Sequence, residues 1–201
     1  MTNRLAEKVC IITGTGGGMG REAALTFARE GALVVGCGLY VEDAEATVAD
    51  VRASGGTMVS IQPCDLTKAA DCQALVDFAV RTYGRIDVLF NSAAMAYFNW
   101  IEDISDEEWD RSRRSEVDLY LTRAAWPHLR ASRGVVVNSA SLTALMSFKN
   151  LGSLAHTTAK AGIIGHDPAT GDGRSRIWDP REFDFTWTDR NQPDARETQG
   201  S

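Results

Sequence analysis

Apolar and polar positions along this chain follow two rhythms in turn. Five short runs are almost continuously apolar and rich in β-branched residues: KVCIITG (8–14), ALVVGC (32–37), TMVSIQPC (57–64), IDVLFN (86–91) and GVVVNSA (134–140). Runs of that kind predict strands covered on both faces, as in a parallel sheet. Between them lie REAALTFARE, VEDAEATVADVRAS, KAADCQALVDFAVRTY and DEEWDRSRRSEVDLYLTRAAWPHLR, where apolar residues return at helical spacing. Gly31, Gly55 and Gly84 follow three of these segments, where a left-handed helix cap is expected. Strand and helix in strict alternation predict right-handed crossovers and an α/β doubly wound parallel sheet.

Both rhythms stop after Gly165. Residues 166–201 contain no Leu, Val or Met, and hold three of the chain's five prolines. A segment with so little apolar surface cannot offset the entropy lost on ordering. The expected organisation is one folded domain over 1–165 and a disordered tail over 166–201.

Composition narrows the partners. A net charge of -6 lacks the basic face that a nucleic acid or an anionic membrane would select. No apolar run approaches the roughly 18 residues that cross a bilayer. The opening MTNRLAEK leads straight into a strand and leaves no room for a signal peptide's apolar core, so a cytoplasmic location is expected. Cys10, Cys37, Cys64 and Cys72 show no metal-ligand spacing; buried free thiols are expected, and no metal site.

The chemistry begins where the first strand ends. In ITGTGGGMGRE the glycines Gly14, Gly18 and Gly20 permit a tight turn, close approach of the backbone to phosphate, and packing of the following helix on the strand. The first-turn N–H groups of that helix would then face a pyrophosphate, aided by the helix dipole.

TGTGGGMG resembles the TGxxxGxG cofactor loop of the classical short-chain dehydrogenases/reductases. CDL (64–66), DVLFNSAA (87–94), VVVNSAS (135–141) and AHTTAKAG (155–162) match further motifs of that family in order, the last standing where the family has YxxxK. The resemblance spans residues 4–165. It implies a Rossmann-like fold, a nicotinamide cofactor, and hydride transfer between a small-molecule alcohol and a ketone. Carried over by position, Gly14, Thr15, Gly18, Met19 and Gly20 form the cofactor loop and Asp65 and Leu66 meet the adenine. Asn91 and Ala93 flank the cofactor and brace the sheet, and Lys160 also contacts it. NAD-preferring members carry an acid at the end of strand two, where this chain has Gly38; a 2′-phosphate would need a cation such as Arg21. NAD and NADP both stay open, with a lean to NAD. The family forms homo-oligomers, an expectation not extended to this chain.

Family chemistry uses a serine to hold the substrate oxygen, a tyrosine to exchange the proton, and a lysine. Ser141 and Lys160 match the first and last, and His156 stands in the tyrosine's place. Imidazole ordinarily titrates near 6.5 and phenol near 10, so imidazole can act as a base unaided. A lysine cation one helical turn on favours its neutral, proton-accepting form. The opposing reading is a site that has lost its acid. The family's fourth residue, a helical asparagine, has its nearest match in Asp118. The stretch between Asp118 and TRAAWPHL is about one helical turn shorter than in the family, which also allows a plain exposed acid. AMAYFNW (94–100) follows the fourth strand and suggests an apolar wall for substrate, or apolar filler under a loop.

Beyond Lys160 the family continues with more helix, a strand leading to a Pro-Gly turn, a substrate loop and a final strand. None of these is legible here. Read one base out of phase from His166, the codons permit MTRQLAME and then IRANSISPGLIETNQTRE, which contains the Pro-Gly segment. A reading-frame shift after Gly165 accounts for the tail, with a divergent tail as its rival. The C-terminal strands are then expected to be missing. Two functions are compatible with these residues: an NAD(P)-dependent oxidoreductase, or a catalytically impaired dinucleotide-binding remnant.

Overall fold

The computed structural model describes residues 3–116, 119–146, 148–169 and 175–178. Its elements run in the order β1 (Val9–Thr13), α1 (Gly18–Arg29), β2 (Leu33–Cys37), α2 (Val41–Ala53), β3 (Thr57–Ile61), α3 (Ala69–Tyr83) and β4 (Val88–Asn91). They continue with α4 (Asp106–Glu116), α5 (Leu119–Ser132), β5 (Val135–Ser139), a 3-10 turn at Leu142–Ala144, α6 (Leu154–Ala169) and β6 (Ser175–Trp178). The sheet order is β3-β2-β1-β4-β5-β6, and every neighbouring pair is parallel. β1 lies centrally, with Cys10 opposite Val34 on one side and Val88 on the other.

Alternate side chains of these strands serve two different cores. Val9, Ile11, Val35 and Leu89 face Leu75, Val76 and Ala79 of α3 and Leu121, Ala125 and Leu129 of α5. Cys10, Ile12, Val34 and Val88 point the other way, into a cluster with Ala24 and Ala28 of α1 and Val51 of α2. Burial on both faces is what makes the strand sequences continuously apolar. Gly31, Gly55 and Gly84 all adopt positive φ at the expected helix ends.

Two expectations change at the carboxyl end. The pattern of residues 166–201 predicts neither helix nor strand, yet α6 continues to Ala169 and Ser175–Trp178 forms β6 beside β5, with Val137 opposite Arg176 and Asn138 opposite Ile177. The free edge of β5 supplies the reason: its unpaired backbone groups accept any extended segment that follows a crossover helix. The remaining tail residues lie outside those described, as does Asp118. Pairing of β3 stops at Ile61 instead of running to residue 64, just ahead of Pro63, which has no N–H to donate to a ladder.

Candidate active site

The carboxyl ends of β1, β2 and β4 open onto one cleft of about 870 Å³. Its floor is the turn between β1 and α1. Gly14 has φ 71°, and a Cβ there would lie 3.0 Å from Ala93 Cα, so a side chain would be both strained and crowded. A Cβ on Gly20 would run into the Gly14 carbonyl oxygen and come within 2.8 Å of the Thr13 oxygen. Gly18, at φ 50°, faces open space, and the amino end of α1 looks into the cleft. Bare backbone with free first-turn N–H groups suits a pyrophosphate. The residues present therefore fit a dinucleotide.

Most of the loop and adenine candidates do line this cleft: Gly14, Gly18, Met19, Gly20, Asp65 and Leu66, with Ala93 on the opposite wall. Thr15 does not. Its side chain is fully buried, donating to the Cys37 carbonyl at 3.3 Å, while its own carbonyl accepts from Thr47 Oγ1 at 2.7 Å. It fastens the loop to β2 and α2. Asn91 is also turned inward, its amide donating to Asn138 Oδ1 at 2.8 Å and Thr122 Oγ1 at 3.3 Å. This is the sheet-bracing half of its expected role. Thr13 is a residue that sequence reasoning passed over: its hydroxyl accepts from both Ser92 N and Ala93 N at 2.9 Å.

At the adenine end, Asp65 Oδ1 accepts from Thr67 Oγ1 at 2.7 Å and Thr67 N at 3.1 Å, and Lys68 Nζ stands 3.3 Å from Oδ2. The Thr67 hydrogen bonds, with Lys68 beside them, hold the Asp65 carboxyl below the ordinary carboxylate value. Arg21 does not reach round to the cleft; its guanidinium pairs with Asp50 on α2 at 2.6 Å. Cys10, Cys37, Cys64 and Cys72 are all free and buried. Among the described residues there is no cluster able to hold a metal ion, and no helix is long and apolar enough to cross a membrane.

The proton-handling candidates gather beyond β5. Ser141 is the cap of the 3-10 turn, and its Oγ accepts from Thr143 N at 3.3 Å and Thr143 Oγ1 at 2.9 Å. α6 packs against that turn. His156 and Lys160, four apart on α6, share one face and are both buried. Lys160 Nζ donates to the Ser139 carbonyl at 2.8 Å, which ties the helix to the end of β5 two residues before Ser141. The His156 ring meets Phe98 with centroids 5.3 Å apart and planes at 53°. Gly152 sits hard against the backbone of Asn99 and Trp100, where a Cβ would lie 2.6 Å away, so the AMAYFNW run and the segment before α6 form one wall. Asp118 lies outside the described residues.

A glycine loop at the first strand-to-helix turn of a doubly wound sheet, with its cleft at the strands' carboxyl ends, defines a dinucleotide-binding α/β domain. The family profile for short chain dehydrogenase matches residues 8–169. The chain belongs to the short chain dehydrogenase family. It is 35% identical over 174 residues to mouse peroxisomal multifunctional enzyme type 2, covering 81% of this chain and 23% of that one. It is 31% identical to cyclohexanol dehydrogenase of an Acinetobacter species, covering 82% and 66% respectively. A solved short chain dehydrogenase from Mycobacterium smegmatis superposes with a TM-score of 0.77 at 30% identity, over 83% of this chain and 70% of the other. The chain thus spans two thirds or less of the curated relatives it matches here.

Proposed function

We propose that this chain acts as an NAD(P)-dependent oxidoreductase interconverting an alcohol and a ketone, leaning towards NAD, with Ser141, His156 and Lys160 as its working groups. The observation that carries this reading is the anchoring of Lys160 to the Ser139 carbonyl. That bond ties α6, which carries His156 one turn earlier, to the end of β5 two residues before Ser141, a spacing that supports a shared role for the three groups. When bound, the nicotinamide supplies the acceptor or donor of hydride. In the oxidation direction the hydroxyl proton of the alcohol passes to the unprotonated ring nitrogen of His156 as the carbon's hydrogen leaves as hydride. Ser141 donates its O–H to the oxygen, which gains negative character as that proton departs. The reverse step returns the proton from imidazolium. Phe98, together with exposed Leu145 and Met146, supports an apolar substrate such as an alicyclic secondary alcohol, consistent with the name of the Acinetobacter relative.

The test is NADH formation by the purified chain on a panel of secondary alcohols that includes cyclohexanol, compared with His156→Ala. Turnover lost in the variant, with NADH affinity retained, supports His156 as the proton acceptor. NADH binding with no turnover on any alcohol would leave a nucleotide-binding module.

A further inference from the structure

The adenosine end of the cleft is built in a way the strand-two pattern does not foretell, and any part it plays in choosing a cofactor rests on the proposed nucleotide binding. Dinucleotide folds place an acid at the carboxyl end of β2 to receive the adenosine ribose. Here that position is Gly38. A Cβ on it would lie 3.3 Å from Ala44 Cβ and 3.8 Å from Gly16 N, so α2 closes directly over the phosphate loop at this point.

Next to Ala44, in the first turn of α2, stands the acid Asp43. Its Cβ lies 3.1 Å from where a Cβ on Gly16 would be, and it lines the same cleft as the glycine loop. Positions along the cleft fix what would face it. A pyrophosphate at the amino end of α1 by Gly18, with adenine at Asp65 and Leu66, would leave the ribose between them, near Gly16 and Gly38, all of which line the cleft.

The charges around the cleft point the same way. Asp65 is engaged by Thr67 and Lys68, Arg21 is held by Asp50, and Arg111 stands on α4 with Glu107 at 3.7 Å. Among the described residues, the exposed carboxylate of Asp43 has no hydrogen bond or ion pair, whereas its main-chain carbonyl accepts from Thr47. We infer that Asp43 selects NAD over NADP by accepting a hydrogen bond from the adenosine ribose 2′-hydroxyl, in place of the acid that β2 lacks. A 2′-phosphate would bring a charge of about -1.5 to -2 against this carboxylate, and among the described residues the cation that lines the cleft, Arg111, is paired with Glu107.

The experiment is fluorescence titration of the purified chain with NADH and with NADPH, for the original sequence, Asp43→Asn and Glu42→Gln. A hydrogen bond to a charged acceptor is worth roughly ten- to a hundredfold in affinity. The original chain is therefore expected to bind NADH about tenfold or more tightly than NADPH. Asp43→Asn should weaken NADH about tenfold, leave NADPH equal or tighter, and so collapse the ratio. Glu42→Gln removes the other acid of the same helix turn, which does not line the cleft, and should leave the ratio unchanged. Equal losses for both cofactors in Asp43→Asn, an unchanged ratio, or an equal effect of Glu42→Gln would overturn the assignment. Failure of the original chain to bind either cofactor would instead sink the nucleotide-binding reading itself.

Discussion

Thr143 Oγ1 donates a hydrogen bond of 2.9 Å to Ser141 Oγ, and the Thr143 amide adds a second at 3.3 Å. A hydroxyl oxygen has two acceptor lone pairs, and both are occupied here. The Ser141 proton is the part left to interact outward, which suits this serine to the donor role proposed for it. Thr143→Ala should lower kcat about five- to tenfold with little change in KM, the worth of one net hydrogen bond. Thr143→Ser should restore most of it, and Ser141→Ala should cost about 10²- to 10³-fold, as for other oxyanion donors. Equal activity in Thr143→Ala and Thr143→Ser would remove the threonine from this role.

The glycine loop gives two variants with different signatures. Gly18 faces open space at φ 50°, so Gly18→Val leaves the packing intact, costs roughly 1–2 kcal/mol in backbone strain, and blocks approach of phosphate. NADH binding should vanish while a cooperative melt persists. Gly20→Ala places a methyl against the Gly14 carbonyl and should lower stability by about 1–3 kcal/mol as well. Calorimetry with and without NADH separates the two, and a Gly18→Val protein that still gains stability from NADH would contradict this geometry.

Asp87 staples the amino ends of two central strands. Its buried carboxylate accepts from Val9 N at 3.0 Å and from Arg85 at 2.5 Å, with Lys8 at 3.6 Å. Arg85 and Lys8 are half-exposed and regain water if the acid is removed, so the cost lies mainly in the stranded Val9 amide. Asp87→Ala should therefore lose about 1.5–3 kcal/mol in denaturant unfolding. A value near zero would mean that water reaches the amide.

Burial, with the Asp87 carboxylate adding to it, pushes the Cys10 thiol up to about 12. An unfolded thiol ionises near 8.5, so the folded state stays neutral where the unfolded state is charged. The folded state's stability is unaffected by this group below that value, and falls as pH rises from there towards 12. Cys10→Ala should flatten the alkaline limb of Tm against pH. In the native state near pH 8 a thiol reagent should label none of the four buried cysteines rapidly, and all four in denaturant. Fast native labelling of Cys10 would contradict its burial.

The sheet is legible in the sequence because two-sided burial leaves a continuous trace: Ile11 and Ile12 enter different cores, yet both are fully buried. Glycines at the cleft are legible because Gly14 and Gly20 leave little or no room for a Cβ and Gly18 holds a positive φ. Boundaries blur where a polar residue is used inside an apolar run, as at Asp87, which belongs to IDVLFN but precedes β4. Thr15 reads as a cofactor residue because it lies in the motif, whereas only the fold shows that its hydroxyl turns to Cys37. Thr143 and Asp43 leave no such trace. A threonine near a turn and an acid in a first helical turn are ordinary helix-start chemistry, and only the folded chain brings them to Ser141 and Gly16. β6 escapes because SRIW has too few apolar residues to signal a strand; the edge it joins does that.

Thr13 hides a mechanical consequence in a single oxygen. Its hydroxyl clasps Ser92 N and Ala93 N across the seam where β1 meets β4, the place at which the chain's winding reverses direction. The two banks of the cleft hang from this clasp, one from the strand that carries the glycines and the other from the strand that leads to Phe98. They cannot part at the seam without orphaning two amides at once. Whatever breathing lets a nucleotide enter or leave must therefore come from the outer rims, while the hinge line itself stays shut.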